Sequence, residues 1–154
     1  MRILMVCLGN ICRSPLAEGI LKNTIQKYNL NWRVDSAGTS GWHAGEYPDQ
    51  RSIKTALHHK IDITDQRSRK IAAEDFDNFD LILAMDKQNL SDLKAYFGSN
   101  IEIHEKIRQI TEFSNIHSGQ DIPDPYYDDN GFEKVFNMLE ESIDGLINFY
   151  RNTD

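Results

Sequence analysis

Two cysteines occur in the 154 residues of this chain, and the first opens the run Cys7-Leu8-Gly9-Asn10-Ile11-Cys12-Arg13-Ser14. A thiol and a guanidinium joined by a glycine-containing turn are the parts of a nucleophilic phosphoryl-transfer site. Helix N-termini and neighbouring arginines bring cysteine pKa values to roughly 3.5 to 7.5, so a cysteine so placed reacts as its thiolate at neutral pH. Arg13 offers planar, paired donors that match two phosphoryl oxygens and follow the charge as the group is transferred, which lysine does poorly. Leu8, Gly9, Asn10, Ile11 and Cys12 form a turn whose amides can face inward as an anion nest, backed by Ser14 and the positive end of the helix that follows. The competing reading makes Cys7 a small buried hydrophobe at a strand end. It leaves Gly9, Arg13 and the helix start unexplained.

The elements around this run suit it. Ile3-Leu4-Met5-Val6 is a short continuous apolar run, as in strands buried on both faces of a parallel sheet. Ser14 as a cap and Pro15 at the first helical position open a helix carrying Leu16, Ala17, Ile20, Leu21 and Ile25 near helical spacing. Residues 32–35 read as a second strand and residues 36–48, with Gly38, Gly41 and Gly45, as a loop. A helix is predicted over 49–59 with Ile53, Ala56 and Leu57 inward. A strand over 79–84, a helix near 87–97 and a fourth strand over 101–107 follow. Phe132, Val135, Phe136, Leu139, Ile143, Leu146, Ile147 and Tyr150 then mark one face of a long last helix. Alternating strands and helices predict an α/β fold, a three-layer sandwich with a central, mostly four-stranded parallel sheet and helices on both faces. Such folds bind ligands beyond the carboxyl ends of their strands, where Cys7 stands. One domain over residues 1–154 is expected, because neither repeats nor a biased linker divide the chain.

Composition narrows the function. The net charge of -7 argues against nucleic acid as a partner, since phosphate backbones are held by clustered Lys and Arg. The chain contains no apolar run near the roughly 20 residues that span a bilayer, and its first residues are too short a run for a secretory signal. Together with only two cysteines, this predicts a cytoplasmic protein with no membrane partner. His43, His58, His59, His104 and His117 show no ligand spacing, so neither a metal nor another cofactor is expected.

A phosphate ester of tyrosine leaves as a phenolate, and a carboxylic acid that protonates the departing oxygen speeds that step. Asp124 is a candidate, with Pro123 and Pro125 restricting the backbone on both sides. Asp121, Asp128 and Asp129 compete with it on residue type alone. Trp42, Tyr126 and Tyr127 lie in stretches that read as exposed loops, where aromatic rings can wall a deep slot.

The run from Val6 to Pro15 closely resembles the signature of the low-molecular-weight protein tyrosine phosphatases. Asp35-Ser36-Ala37-Gly38, Trp42, Ala84-Met85-Asp86 and Asp124-Pro125-Tyr126-Tyr127 follow in the family's order. The resemblance implies hydrolysis of phosphotyrosine and aryl phosphates through a phosphocysteine on Cys7. Arg13 would bind the phosphoryl group, Asp124 would act as acid and then base, and phosphate-like oxyanions would inhibit. It further implies that Leu8, Trp42 and Tyr126 line the cleft, that Ser36 hydrogen-bonds the thiolate and that Asn10 holds the loop's shape. Gln66 stands where the family often carries a histidine, so the supporting network is expected to differ. Cys12, close along the loop, suggests reversible trapping of an oxidised Cys7 as a disulfide. Three rivals remain. Arsenate reductases need further cysteines, and phosphoarginine phosphatases resemble this chain except for a threonine where Ile11 stands. A non-catalytic phosphate-binding module needs neither nucleophile nor acid.

Overall fold

The computed structural model describes residues 1–98 and 105–151. Four parallel strands, β1 (Arg2–Cys7), β2 (Arg33–Gly38), β3 (Leu81–Ala84) and β4 (Ile107–Gln109), form one sheet in the order β2-β1-β3-β4. The helices are α1 (Arg13–Lys27), α2 (Gln50–His58), the short α3 (Asp75–Asn78), α4 (Lys87–Phe97) and α5 (Phe132–Arg151), with a 3-10 turn at Ile110–Phe113.

The apolar run of β1 is buried throughout, and its alternation sorts it between two cores. Ile3, Met5 and Cys7 pack with Leu16, Leu21, Phe136 and Leu139 from α1 and α5. Leu4 and Val6 pack with Ile82, Ala84 and Leu93 on the opposite face. Side chains of successive strand residues point to opposite faces, so a strand that is apolar at every position must be covered twice. That requirement produces the three-layer sandwich expected from the sequence. Cutting Phe136, fully buried in the larger core, back to alanine would cost about 3–5 kcal/mol.

Local boundaries moved where tertiary contacts outweighed propensity. β2 runs on to Gly38 because β1 offers a parallel ladder as far as Cys7↔Gly38, so Ser36 lies in a strand and not in a loop. α1 begins at Arg13, with Cys12 flanking it and no side-chain cap, and Pro15 sits in the first turn, where a missing N–H costs nothing. Ser14 is therefore inside the helix rather than its cap. α2 is capped by Asp49, whose carboxylate accepts from the Arg51 N–H at 2.8 Å, and buries Ser52 and Ala56 while Leu57 faces solvent, contrary to expectation. A helix of only nine residues turns too narrow a face to the core to bury both Ala56 and its neighbour. The fourth strand expected over 101–107 falls partly outside the described residues, and the observed ladder is the three residues Ile107–Gln109 against β3. His104 also lies outside the described residues.

β1 exchanges hydrogen bonds with β2 on one side and β3 on the other. The chain leaves β1 through α1 on one face of the sheet and leaves β3 through α4 on the other. The carboxyl end of β1 is thus the switch point of an open α/β sheet, where the connections diverge and leave a crevice. Cys7 is its last residue.

Candidate active site

Beyond Cys7 the chain turns tightly and re-enters α1 at Arg13. Asn10 takes φ 56°, a left-handed conformation that asparagine tolerates better than most residues. Its side chain holds the turn. Nδ2 donates to Ser14 Oγ at 2.8 Å and to Ser36 Oγ at 2.9 Å, Oδ1 accepts from the Arg69 N–H at 3.0 Å, and its own N–H points to Cys7 Sγ at 3.3 Å. The outward carbonyls are bound from outside the loop. Leu8 O accepts from Ser40 N–H, Gly9 O from the Ser68 hydroxyl, Ile11 O from Asp49 N–H and Cys12 O from the Ser52 hydroxyl. With its carbonyls tied away from the centre, the loop presents a concave polar floor. Gly38 permits the fit, because a Cβ there would lie 2.8 Å from Leu8 O and 2.9 Å from Ser40 O, with backbone on both sides.

The hydroxyl on the Cys7 sulfur belongs to Ser14, at 3.0 Å, rather than to Ser36. Ser36, one strand away, reaches Asn10 and donates to the buried Glu18 Oε1 at 2.8 Å. It acts on the sulfur at one remove. Ser14 can reach Cys7 because α1 starts early enough to place it in the first turn, facing the end of β1. Glu18, whose other oxygen accepts from Lys22 Nζ at 2.8 Å, completes a buried polar chain that sequence reading missed. Burial lifts the Glu18 carboxyl above its ordinary value despite the hydrogen bonds from Lys22 and Ser36. Its signal was present in the sequence, as a carboxylate on the same helical stripe as Ser14 and Leu21. Gln66 donates from Nε2 to Pro15 O at 3.0 Å, bracing the first turn of α1 without joining that chain.

Arg13 is 3% exposed, and its Nη1 donates to Asp86 Oδ2 at 2.6 Å and to Ile122 O at 3.0 Å. Burial opposes its charge, but Cys7, Asp86 and Asp124 outweigh that cost and hold the guanidinium more firmly protonated than usual. Asp86 also caps α4 through the Asn89 N–H at 2.7 Å. It was recognisable in the sequence only as the polar residue ending a buried strand. Its role in orienting Arg13 needed the adjacency of β1 and β3.

Asp124 places Oδ2 3.9 Å from Arg13 Nη2 and half-exposes its side chain. Its Oδ1 accepts from the Tyr126 N–H at 3.1 Å, a local turn that fixes the carboxylate. The other aspartates considered for this place lie elsewhere: Asp121 accepts from Lys87 N–H and Gln109, Asp128 from Asn130 N–H, and Asp129 from Arg51. A cleft of about 240 Å³ brings together Cys7, Leu8, Gly9, Ile11, Cys12, Arg13, Trp42, His43, Asp124, Tyr126 and Tyr127. Trp42 is 77% and Tyr127 94% exposed, so the rim is aromatic and open while the floor is buried. His43, absent from the sequence-based set, lines the wall with its Nδ1 2.5 Å from Glu46. Cys12 is buried, and burial, reinforced by Asp49, Cys7 and Asp124, pushes its thiol up to about 12. Among the described residues no group of three or more His, Cys, Asp and Glu side chains is placed to hold a metal ion.

Residues 2–152 match the family model described as low molecular weight phosphotyrosine protein phosphatase. The low molecular weight protein-tyrosine-phosphatase PtpA of Staphylococcus aureus is 38% identical over 148 residues, covering 96% of this chain and 92% of that protein. A crystal structure of a protein tyrosine phosphatase from Entamoeba histolytica superposes with a TM-score of 0.93 at 36% identity, over 99% of this chain and 98% of that one. An arginine phosphatase of Drosophila superposes with a TM-score of 0.92 at 35% identity over the whole of both chains. Sheet order, the cysteine-to-arginine loop and these likenesses along nearly the full length agree: the chain belongs to the low-molecular-weight protein tyrosine phosphatase family and is a phosphatase.

Proposed function

We propose that this phosphatase hydrolyses phosphotyrosine in proteins by way of a phosphocysteine on Cys7, in one domain spanning residues 1–154. The observation that carries the reading is the meeting of Cys7, Arg13 and Asp124 in one cleft with a buried polar floor and aromatic walls. The substrate's phosphoryl oxygens sit against the loop amides of Leu8 to Ser14 and the N-terminal end of α1, where the flanking Cys12 makes no side-chain cap. Arg13, steered by Asp86 and Ile122 O, supplies two further donors. The Cys7 thiolate attacks phosphorus while Asp124 gives its proton to the departing phenolic oxygen. In the second step Asp124 takes a proton from the water that attacks the phosphocysteine, releasing phosphate and the thiolate. Ser14 donates to sulfur in both steps, stabilising it as nucleophile and as leaving group.

Leu8, Trp42, Tyr126 and Tyr127 accept the phenyl ring, which gives a flat aromatic ester more contact than a flexible guanidinium phosphate. Likeness to an arginine phosphatase keeps phosphoarginine as the second reading; Ile11 at the cleft wall, in place of a threonine, disfavours it. Phosphate-like oxyanions such as vanadate inhibit by occupying the same floor. The two cysteines, both free thiols, fit a cytoplasmic setting. Peroxide there would convert Cys7 to a sulfenic acid, and attack by Cys12 would expel water and form a disulfide. The deep protonation of Cys12 slows that capture. The deciding experiment compares phosphotyrosine and phosphoarginine peptides as substrates, with vanadate as competitor. Faster hydrolysis of phosphotyrosine with competitive inhibition supports the reading, and a preference for phosphoarginine overturns its substrate assignment.

A further inference from the structure

Arg51 sits in the first turn of α2, outside the cleft, and its guanidinium forms a second link between the two sides of the site that Arg13 joins through Ile122 O and Asp124. Toward the loop side it grips Asp49 in a paired contact, Nε to Oδ1 at 3.0 Å and Nη2 to Oδ2 at 2.9 Å. Asp49 in turn donates its N–H to Ile11 O at 2.8 Å, and the neighbouring Ser52 hydroxyl donates to Cys12 O at 3.1 Å, so the start of α2 is fastened to the phosphate loop. Toward the other side Arg51 Nη1 donates to Asp129 Oδ1 at 2.6 Å. The same guanidinium lies over the Phe132 ring at 4.7 Å and the Tyr126 ring at 5.6 Å, on the face where its charge is attracted.

Apart from the 3.9 Å approach of Asp124 Oδ2 to Arg13 Nη2, the segment from Asp124 to the start of α5 is held, among the described residues, mainly by its own turns. The bonds of Tyr126 N–H to Asp124, Asp128 N–H to Pro125 O, Asn130 N–H to Asp128 and Gly131 N–H to Asp128 O all close on the segment itself. They give it shape without placing it over the sulfur. The bond of Asp129 leaves the segment and ends on a group tied to the loop that carries Cys7. An exposed pair alone contributes little stability. A planar fork held on one side by two bonds, however, defines direction as well as distance, and the position of a general acid is sensitive to shifts of an ångström.

We propose that Arg51 is a positioning residue that sets the Asp124 segment in register with Cys7, so that Asp124 meets the leaving-group oxygen. The inference rests on the reading of Asp124 as proton donor. Its test compares 4-nitrophenyl phosphate, whose leaving group departs without help, with phenyl phosphate, which needs the proton. Two variants are used, because they disturb the fold differently: Arg51→Met removes the fork and keeps the stem, and Asp129→Asn removes only the exposed end of the link. The expected result is a loss in kcat/KM of about 10-fold with phenyl phosphate and about 2-fold or less with 4-nitrophenyl phosphate for Arg51→Met, with a smaller loss of the same pattern for Asp129→Asn. Placed in an Asp124→Asn background, Arg51→Met should add no further selective loss, since the group it positions is gone. Equal losses with both substrates, or full additivity in that background, overturn the proposal while leaving Asp124 as the acid. If Asp124→Asn itself discriminates nothing between the two substrates, the acid assignment fails first and the role of Arg51 falls with it.

Discussion

The phosphate loop and the segment that carries Asp124 face each other across one cleft and are built in opposite ways. In the loop, Asn10, Arg13 and Ser14 are buried, a left-handed residue is locked by three side-chain bonds, and the backbone carbonyls are tied back by Ser40, Asp49, Ser52 and Ser68. In the segment, Tyr127 is almost fully exposed, Asp124 is half-exposed, and the hydrogen bonds are local turns apart from that to Arg51. The two tasks make different physical demands. A cradle for a dianion must have its donors fixed before the substrate arrives, because reorganising them during reaction would cost the stabilisation they supply. A proton donor needs only correct reach at the moment of bond cleavage, and an open rim must also let protein substrates in and out.

Breaking the cradle's nucleophile should have the largest effect. Cys7→Ser is expected to lower kcat with aryl phosphates by about 10⁵-fold or more while leaving thermal unfolding nearly unchanged; turnover within an order of magnitude of the wild type would end the covalent mechanism. On the other side of the cleft, Asp124→Ala is expected to cost about 10²- to 10³-fold with phenyl phosphate and far less with 4-nitrophenyl phosphate. A series of substituted phenyl phosphates measures that dependence, and equal losses across it would remove Asp124 from the first step.

Asn10 sharpens the comparison by separating backbone strain from hydrogen bonding. Asn10→Ala keeps the left-handed strain and loses the side-chain bonds, and it should lower stability by about 2 kcal/mol together with kcat/KM. Asn10→Gly relieves the strain but loses the same bonds, so it should regain part of the stability and little of the activity. Denaturant unfolding beside steady-state kinetics separates the two; equal stability of both variants would mean that the left-handed backbone at residue 10 stores no strain.

The smallest effect is the pH dependence written by Glu18. Burial raises its carboxyl above the ordinary value of 4.5, so folding favours the protonated form. Its contribution is complete below pH 4.5 and is lost as pH rises through the folded value, after which it stays level. Glu18→Gln keeps an acceptor for Ser36 and removes the titration, so as pH rises above 4.5 stability should fall less steeply than in the wild type. Parallel unfolding curves for the two proteins across that range would show that Glu18 does not titrate there.

The sequence was most legible where one short run carried several physical demands at once. Cys7 to Arg13 had to be a turn between a buried strand and a helix, and the fold and the floor of the cleft followed from it. By residue type Asp124 is one of four aspartates, and resemblance to a family rather than local chemistry singles it out; in the fold it lies beside Arg13. Ser36 shows the opposite error. Its family role suggested contact with the sulfur, but whether Ser14 or Ser36 reaches Cys7 depends on where α1 begins, and helix starts are decided by competing caps within a residue or two.

Apolar runs, glycine and the order of thiol and guanidinium are local properties with few solutions, so the residue order alone sets Cys7 and Arg13 at either end of one turn at the tip of β1. Tertiary contacts alone bring Asp86 to Arg13, Glu18 to the Ser36 hydroxyl that reaches Asn10, and Arg51 to Asp129 in the segment that carries Asp124. Those partners are 73, 18 and 78 residues apart. Strand order and helix packing set such distances, and nothing in the local spacing of residues records them.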